Sequence, residues 1–296
     1  MLERTQGKVQ SEGVRMNASS GLVRGDVVEL FSGLQGEGTH VGRRQIFLRL
    51  AGCNLACDYC DQPEARQAPA QALIEMSPGG RRFLKVSNPL PVAVLLRAIL
   101  RLNVARQGEA FAGARHALPL RAGAAQATRL HSALAITGGE PLMQADFLAA
   151  LLPALRRSGL RIFLETNGTR ARELARLRSC VDIVSMDIKL RSATGRPMPR
   201  KAHVEFLRAA RRIGVELYAK AVVSSSTTER EISGAARILR THGGDVPLIL
   251  QPVTRLGKNS PRPPTSEALL RLQAAAARQV GDVRVIPQTH KMIGQR

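Results

Sequence analysis

Gly52-Cys53-Asn54-Leu55-Ala56-Cys57-Asp58-Tyr59-Cys60-Asp61 follows directly on an apolar run at 46–50 that reads as a core strand. Three of the four cysteines in the chain fall within eight residues here. Spacings this short make a poor disulfide framework and a good metal loop, and reduced thiols imply a cytoplasmic setting. Thiolates are soft ligands that suit zinc or an iron–sulfur cluster. Structural zinc takes four protein ligands. The loop offers three, Cys180 lies in another unit, and a histidine such as His40 can complete the set, so counting leaves zinc open. A cuboidal cluster held by Cys53, Cys57 and Cys60 keeps one iron for an outside chelate.

Outward from the loop, apolar runs alternate with helical periodicity. Strands are expected at 27–31, 46–50, 134–136, 162–165, 183–189, 217–223, 247–250 and 283–286. Helices are expected at 91–105, 147–158, 171–178, 201–213, 229–241 and 266–279. Asp146 is a candidate N-cap, Thr228 with Glu231 reads as a capping box, and Gly159, Gly214 and Gly243 are candidate stops. This alternation implies an α/β fold with a parallel sheet and right-handed crossovers. A partial (β/α)6 barrel fits better than a dinucleotide-binding sheet, because no G-x-G-x-x-G follows the first strand. Residues 1–25 read as a loose tail, and 26–296 as one domain with surface insertions at about 62–90 and 106–131.

Barrel logic puts function at strand C-terminal ends. Thr137-Gly138-Gly139-Glu140-Pro141 and Glu165-Thr166-Asn167-Gly168-Thr169 stand at two such ends. In Ser185-Met186-Asp187-Ile188-Lys189 alternation puts Ser185, Asp187 and Lys189 on one face, where a polar ligand would offset their burial. Cys180 reads as a small buried hydrophobe.

The chain has 296 residues, 44% of them hydrophobic, enough for one large core. No run approaches the roughly 18 apolar residues of a membrane span, and the N-terminus lacks the apolar segment of a secretory signal. The formal charge is +21, which attracts polyanions such as RNA, yet only 3% of residues are aromatic and there is no Trp to stack bases. Arginine is spread along the whole chain, so no nucleic-acid partner is expected.

The C-x3-C-x2-C loop, with its aromatic residue before the last cysteine, resembles that of the radical S-adenosylmethionine superfamily. More closely, the sequence resembles the 7-carboxy-7-deazaguanine synthase family of deazapurine (queuosine) biosynthesis. The resemblance rests on Phe31-Ser32-Gly33-Leu34-Gln35-Gly36-Glu37-Gly38, on Phe47-Leu48-Arg49-Leu50-Ala51-Gly52-Cys53, on the Thr-Gly-Gly-Glu-Pro and Ser-Met-Asp-Ile-Lys runs, and on Pro287-Gln288-Thr289-His290-Lys291. It implies a [4Fe–4S] cluster on three cysteines, bound S-adenosylmethionine, and a radical ring contraction. In that reaction 6-carboxy-5,6,7,8-tetrahydropterin loses a hydrogen atom from C6, rearranges, and releases ammonia to give 7-carboxy-7-deazaguanine.

The resemblance also implies site residues. Leu34, Gln35, Gly36, Arg49, Thr137 and His290 would face the substrate. Tyr59, Asp61, Gly139, Glu140, Ser185, Asp187, Lys189 and Gln251 would face the cofactor. Where the family has Thr after Cys-Asp as a Mg²⁺ ligand, this chain has Gln62; its amide oxygen can coordinate Mg²⁺, but the longer arm predicts a weakened or shifted site. A one-electron donor of flavodoxin or ferredoxin type and a homodimer are further implications. Two competing expectations are a different radical enzyme, such as a glycyl-radical activase, and a basic RNA-binding protein with a structural metal.

Overall fold

The computed structural model describes residues 23–103, 130–255, 257 and 260–295. The chain opens with β1 (Arg24–Gly25), β2 (Val27–Leu34) and β3 (Arg44–Leu50), followed by β4 (Gln71–Glu75), β5 (Phe83–Ser87) and β6 (Leu90–Pro91). Then come α1 (Val92–Asn103), β7 (Leu134–Gly138), α2 (Ala145–Arg157), β8 (Ile162–Thr166), α3 (Ala171–Arg176) and β9 (Ile183–Asp187). The last part holds α4 (Arg191–Thr194), α5 (Arg200–Ile213), β10 (Glu216–Val223), α6 (Glu229–His242), β11 (Leu248–Pro252), α7 (Ser266–Ala277), β12 (Val283–Val285) and α8 (Thr289–Met292).

One ten-stranded sheet runs β12-β11-β10-β9-β8-β7-β3-β2-β4-β5. From β12 to β3 every pairing is parallel. β3, β7, β8, β9, β10 and β11 are thus the six strands of a partial barrel, as expected. β2 lies antiparallel on β3 and carries β4 and β5 at the edge.

Strand alternation sorts the inner face into two layers. Phe47, Ala135, Phe163, Ile183, Tyr218 and Ile249 form a buried apolar plug with Phe31. Two residues further along each strand come Arg49, Thr137, Glu165, Ser185, Lys220 and Gln251. The plug closes one end, and a polar ring stands at the strand C-terminal ends. The outer face packs a larger apolar core against the helices, among it Leu48, Ile136, Leu164, Val184, Ala221 and Leu250. Each large apolar side chain buried there contributes roughly 1.5–3 kcal/mol.

The local signals need some correction. The N-cap of α2 is Gln144, whose amide bonds Asp26 and the Ala51 carbonyl (2.9 Å) rather than its own helix. Asp146 sits in the first turn and pairs with Arg176. Thr228 does accept from the Glu231 amide (3.2 Å), but the Glu231 carboxylate accepts from the Ser192 amide (3.1 Å), so only half of the capping box forms. Gly159 and Gly214 end their helices with positive φ; after α6 that conformation falls to Gly244, beside Gly243.

The segment 62–90, read as an insertion, supplies the β4–β5 hairpin that extends the sheet. Its five-residue strands between Pro, Gly and Arg carry too little periodicity to read alone; pairing with β2 creates them. The other insertion, 106–131, lies outside the described residues except for Leu130 and His131. Of the expected tail, 1–22 lie outside them too, while Arg24–Gly25 pairs with β6.

Candidate active site

The cysteine loop leaves β3 through Gly52 and is tied to the ends of four other segments. Glu140 N bonds Gly52 O (2.7 Å), Gly52 N bonds Ala65 O (2.8 Å), and Asp58 N bonds Thr194 O (3.3 Å). Arg196 donates to Ala56 O and Arg66 to Cys57 O, each at 2.9 Å. Asn54 accepts from Asn167 (2.8 Å) and donates to Thr169 (3.0 Å).

Cys53, Cys57 and Cys60 are free thiols that line one cavity. Burial pushes the Cys53 and Cys57 thiols up. Metal coordination would supply the positive charge their thiolates lack there. Among the described residues no three Cys, His, Asp or Glu converge on a single ion position. His40 is buried on Glu216 (2.7 Å) against Phe163 and is not a fourth zinc ligand. The donor set fits a multi-iron cluster better than a zinc ion.

Gly138 has φ of 114°, and a Cβ there would come within 2.2 Å of Leu50 O. This glycine lets β7 and β3 close on each other at the loop. Gly139 lines the cavity, but Glu140 does not. The Glu140 carboxylate is fully buried and accepts from Leu142 N (3.1 Å), Thr166 Oγ1 (2.8 Å) and Asn167 N (2.7 Å). It ties together the ends of β7 and β8 and does not line the cavity. Ser185 is likewise below the surface, against the Tyr218 hydroxyl, and does not line the cavity.

The remaining expected residues do line it: Leu34, Gln35, Gly36, Arg49, Thr137, His290, Tyr59, Asp61, Asp187, Lys189 and Gln251. Gln35 and Thr137 donate to Glu165 at 2.9 and 3.0 Å. Burial pushes the Glu165 carboxyl up. Arg49 lies 3.2 Å from Glu29 and 5.3 Å from the Phe31 ring centroid. Lys189 donates to Asp187 and to the Tyr59 hydroxyl, both at 2.7 Å. Among the described residues the buried Gln251 Oε1 and Arg66 Nε have no hydrogen-bond partner, as expected of groups that meet a polar ligand.

The C-terminal segment closes one wall. Thr289 N bonds Gly36 O (3.0 Å), and a Cβ on Gly36 would come within 2.1 Å of His290 Nδ1. Gln288 bridges Glu37 (2.7 Å) and Asp61 (2.9 Å), and Lys291 holds Asp61 (2.8 Å). Burial opposes the Asp61 charge, but Lys291 and Gln288 overcome it and lower the carboxyl to about 2.

The residues at Gln62 do not fit a Mg²⁺ ion. With its oxygen facing donors, the Gln62 amide accepts from Arg49 Nη1 (2.9 Å) and Nη2 (3.2 Å). The oxygen offered to a cation is held by a guanidinium, whose charge repels one.

The sequence reading gave no role to Glu37, Glu165, Gln288, Lys291, Arg66 or Lys220. Four of these lay in quoted motifs. Lys220 carried a signal of its own, a lone lysine inside the apolar strand 217–223.

Comparison with known proteins agrees with this geometry. Residues 48–238 match the Radical SAM superfamily model. The 7-carboxy-7-deazaguanine synthase of Geobacter sulfurreducens is 38% identical, covering 91% of this chain and 97% of the relative. That of Methanothermobacter thermautotrophicus is 34% identical, covering 93% and 99%. The crystal structure of QueE from Escherichia coli shares the fold at TM-score 0.50 and 19% identity, over 90% of this chain and 94% of that one. A cysteine loop at the mouth of a six-stranded partial barrel, with relatives matched over nearly their full length, places this chain in the 7-carboxy-7-deazaguanine synthase family of radical S-adenosylmethionine enzymes.

Proposed function

We propose that the chain converts 6-carboxy-5,6,7,8-tetrahydropterin to 7-carboxy-7-deazaguanine with loss of ammonia. The observation that carries this reading is one cavity joining the three-cysteine loop to Arg49 and to the Leu34–Gln35–Gly36 edge. Cys53, Cys57 and Cys60 would hold the cluster, which with S-adenosylmethionine would supply the hydrogen-atom abstraction that starts the ring contraction. The chain's residues bind and orient. Arg49 offers a guanidinium to the substrate carboxylate. Glu37 and Glu165 accept from the N–H groups of the pterin edge, and Gln35, Gly36 and Thr137 fix that edge. Lys189 and Asp187 meet the polar groups of the cofactor near Tyr59, and Gln251 offers it a buried acceptor. The 288–290 segment, with His290, limits water at the substrate end.

One-electron reduction calls for an external donor, of flavodoxin or ferredoxin type in this reading. A homodimer in the cytoplasm completes the proposal. A glycyl-radical activase would need an opening for a protein backbone, whereas the tail packs across this cavity at Gly36. The test is anaerobic reconstitution, iron and sulfide analysis, and turnover of the carboxytetrahydropterin with dithionite. A deazaguanine chromophore supports the reading. Bound zinc without acid-labile sulfide, or a loaded protein inert toward the pterin, sinks it.

A further inference from the structure

Lys220 stands inside β10 between the apolar residues Ala219 and Ala221. Its neighbours on the inner face of β10 are Tyr218 and Val222, and its side chain is nearly buried. A lysine there is costly unless its charge is met, and an apolar residue would pack without that cost. The charge is met twice. The ammonium pairs with Glu37 Oε2 and lies 3.3 Å from Asp187 Oδ1. Burial pulls the ammonium toward neutrality, but Asp187, Glu37 and Glu165 overcome it and hold the lysine well above its ordinary pKa.

The two carboxylates come from different segments of the cavity wall. Asp187 is registered directly beside Lys220 on β9, and its other oxygen holds Lys189, which reaches Tyr59 in the cysteine loop. Glu37 lies on the loop clasped by the C-terminal segment, and its other oxygen takes Gln288. Both line the cavity, so each is open to a ligand. One ammonium therefore joins the Asp187–Lys189–Tyr59 group to the Glu37–Gln288 group through contacts of hydrogen-bond length, beside the direct Gln288–Asp61 bond.

We propose that Lys220 is a positioning residue that couples cofactor binding to substrate binding by holding Asp187 and Glu37 at once. The proposal rests on the functional reading above. A ligand that engages Asp187 fixes the ammonium, and the fixed ammonium fixes Glu37. The ordering cost is met by the first ligand, so the second binds more tightly. By reciprocity each ligand raises the affinity of the other by the same factor.

The test uses reconstituted holoenzyme with an oxidised cluster, which cannot turn over. S-adenosylmethionine affinity is measured by calorimetry with and without saturating 6-carboxytetrahydropterin. The wild type is expected to bind the cofactor at least about fivefold more tightly with substrate present. In Lys220→Met the ratio falls to about one. The charge-balanced double variant Glu37→Gln/Lys220→Gln, which leaves Asp187 paired with Lys189, gives the same loss and serves if Lys220→Met does not fold. A merely structural lysine would weaken both ligands and leave the ratio unchanged; that result, or a wild-type ratio of one, overturns the coupling. Dithionite-driven turnover of the wild type is scored separately. Its absence strikes the functional reading, whereas turnover with an unaltered ratio in the variants strikes only Lys220.

Discussion

The Glu140 carboxylate accepts the Asn167 backbone amide at 2.7 Å, joining the ends of β7 and β8 at the foot of the cysteine loop. With the Thr166 hydroxyl and the Leu142 amide on its other oxygen, this buried carboxylate accepts three hydrogen bonds from its own chain. Burial alone raises its pKa, and these donors offset part of that rise. Glu140→Ala leaves three buried donors unmet and is expected to cost about 3 kcal/mol of stability. Urea unfolding of the cluster-free chain checks this. A loss below about 1 kcal/mol would mean that the donors find water or other partners, against the organising role argued for Glu140.

Arg49 is held for recognition. Glu29 fixes one side of the guanidinium, Phe31 lies against its plane, and the group lines the cavity. Arg49→Met is expected to raise the KM for the carboxypterin about 10- to 100-fold, the value of a hydrogen bond to a charged group. Arg49→Lys should recover little, because an ammonium lacks the planar fork. Cofactor affinity without substrate should stay unchanged. A fall in that affinity equal to the rise in KM would assign Arg49 to the cofactor instead.

Gln62 predicts a metal response. With its oxygen turned to the donors, its amide meets the guanidinium of Arg49, whose charge disfavours a cation there. Turnover by the loaded enzyme should be the same with added Mg²⁺ as after exhaustive treatment with EDTA at a concentration that leaves the cluster intact. Several-fold stimulation by Mg²⁺ would place an ion at this end of the cavity. Gln62→Thr, which frees the guanidinium and restores a short oxygen ligand, is the variant expected to gain a Mg²⁺ response.

The barrel was legible because its strands repeat one signal. Each of the six expected parallel strands lies within two residues of the observed one, since Val, Ile and Leu runs between capped helices leave few other readings. The β4–β5 hairpin was not legible, because Gln71-Ala-Leu-Ile-Glu75 becomes a strand only by pairing with β2. At the site, Cys53, Cys57, Cys60, Arg49 and Asp187 all line the same cavity. Ser185 and Glu140 are buried and do not line the cavity, Ser185 lying against the Tyr218 hydroxyl and Glu140 on the Asn167 amide. Lys220 was overlooked because its strand was read as an apolar run, although a charge in such a run demands buried partners.

Two histidines outside the cavity contribute to the acid response of the fold. His131 is buried with Nε2 2.8 Å from Ser32 Oγ, and His203 is buried with Nε2 3.2 Å from Asn167 O. Burial lowers each from 6.5 to about 4, with Arg44 adding to the effect at His131 and the Asn167 carbonyl opposing it at His203. A depressed folded pKa means the unfolded chain takes up the proton first. The stability each neutral ring contributes is complete above pH 6.5 and is lost as pH falls to about 4. The loss is on the order of 3 kcal/mol per histidine. Glu140 and Glu165, whose carboxyls burial raises, titrate in the opposite sense over part of this window, so the wild-type curve alone is a mixture. The difference between wild type and His131→Gln isolates one ring. Urea midpoints measured from pH 7 to pH 4 should fall less steeply in the variant, and the two curves should converge toward acid. Parallel curves would show that His131 takes up its proton equally in the folded and unfolded chains, and the burial argument would fail at that residue.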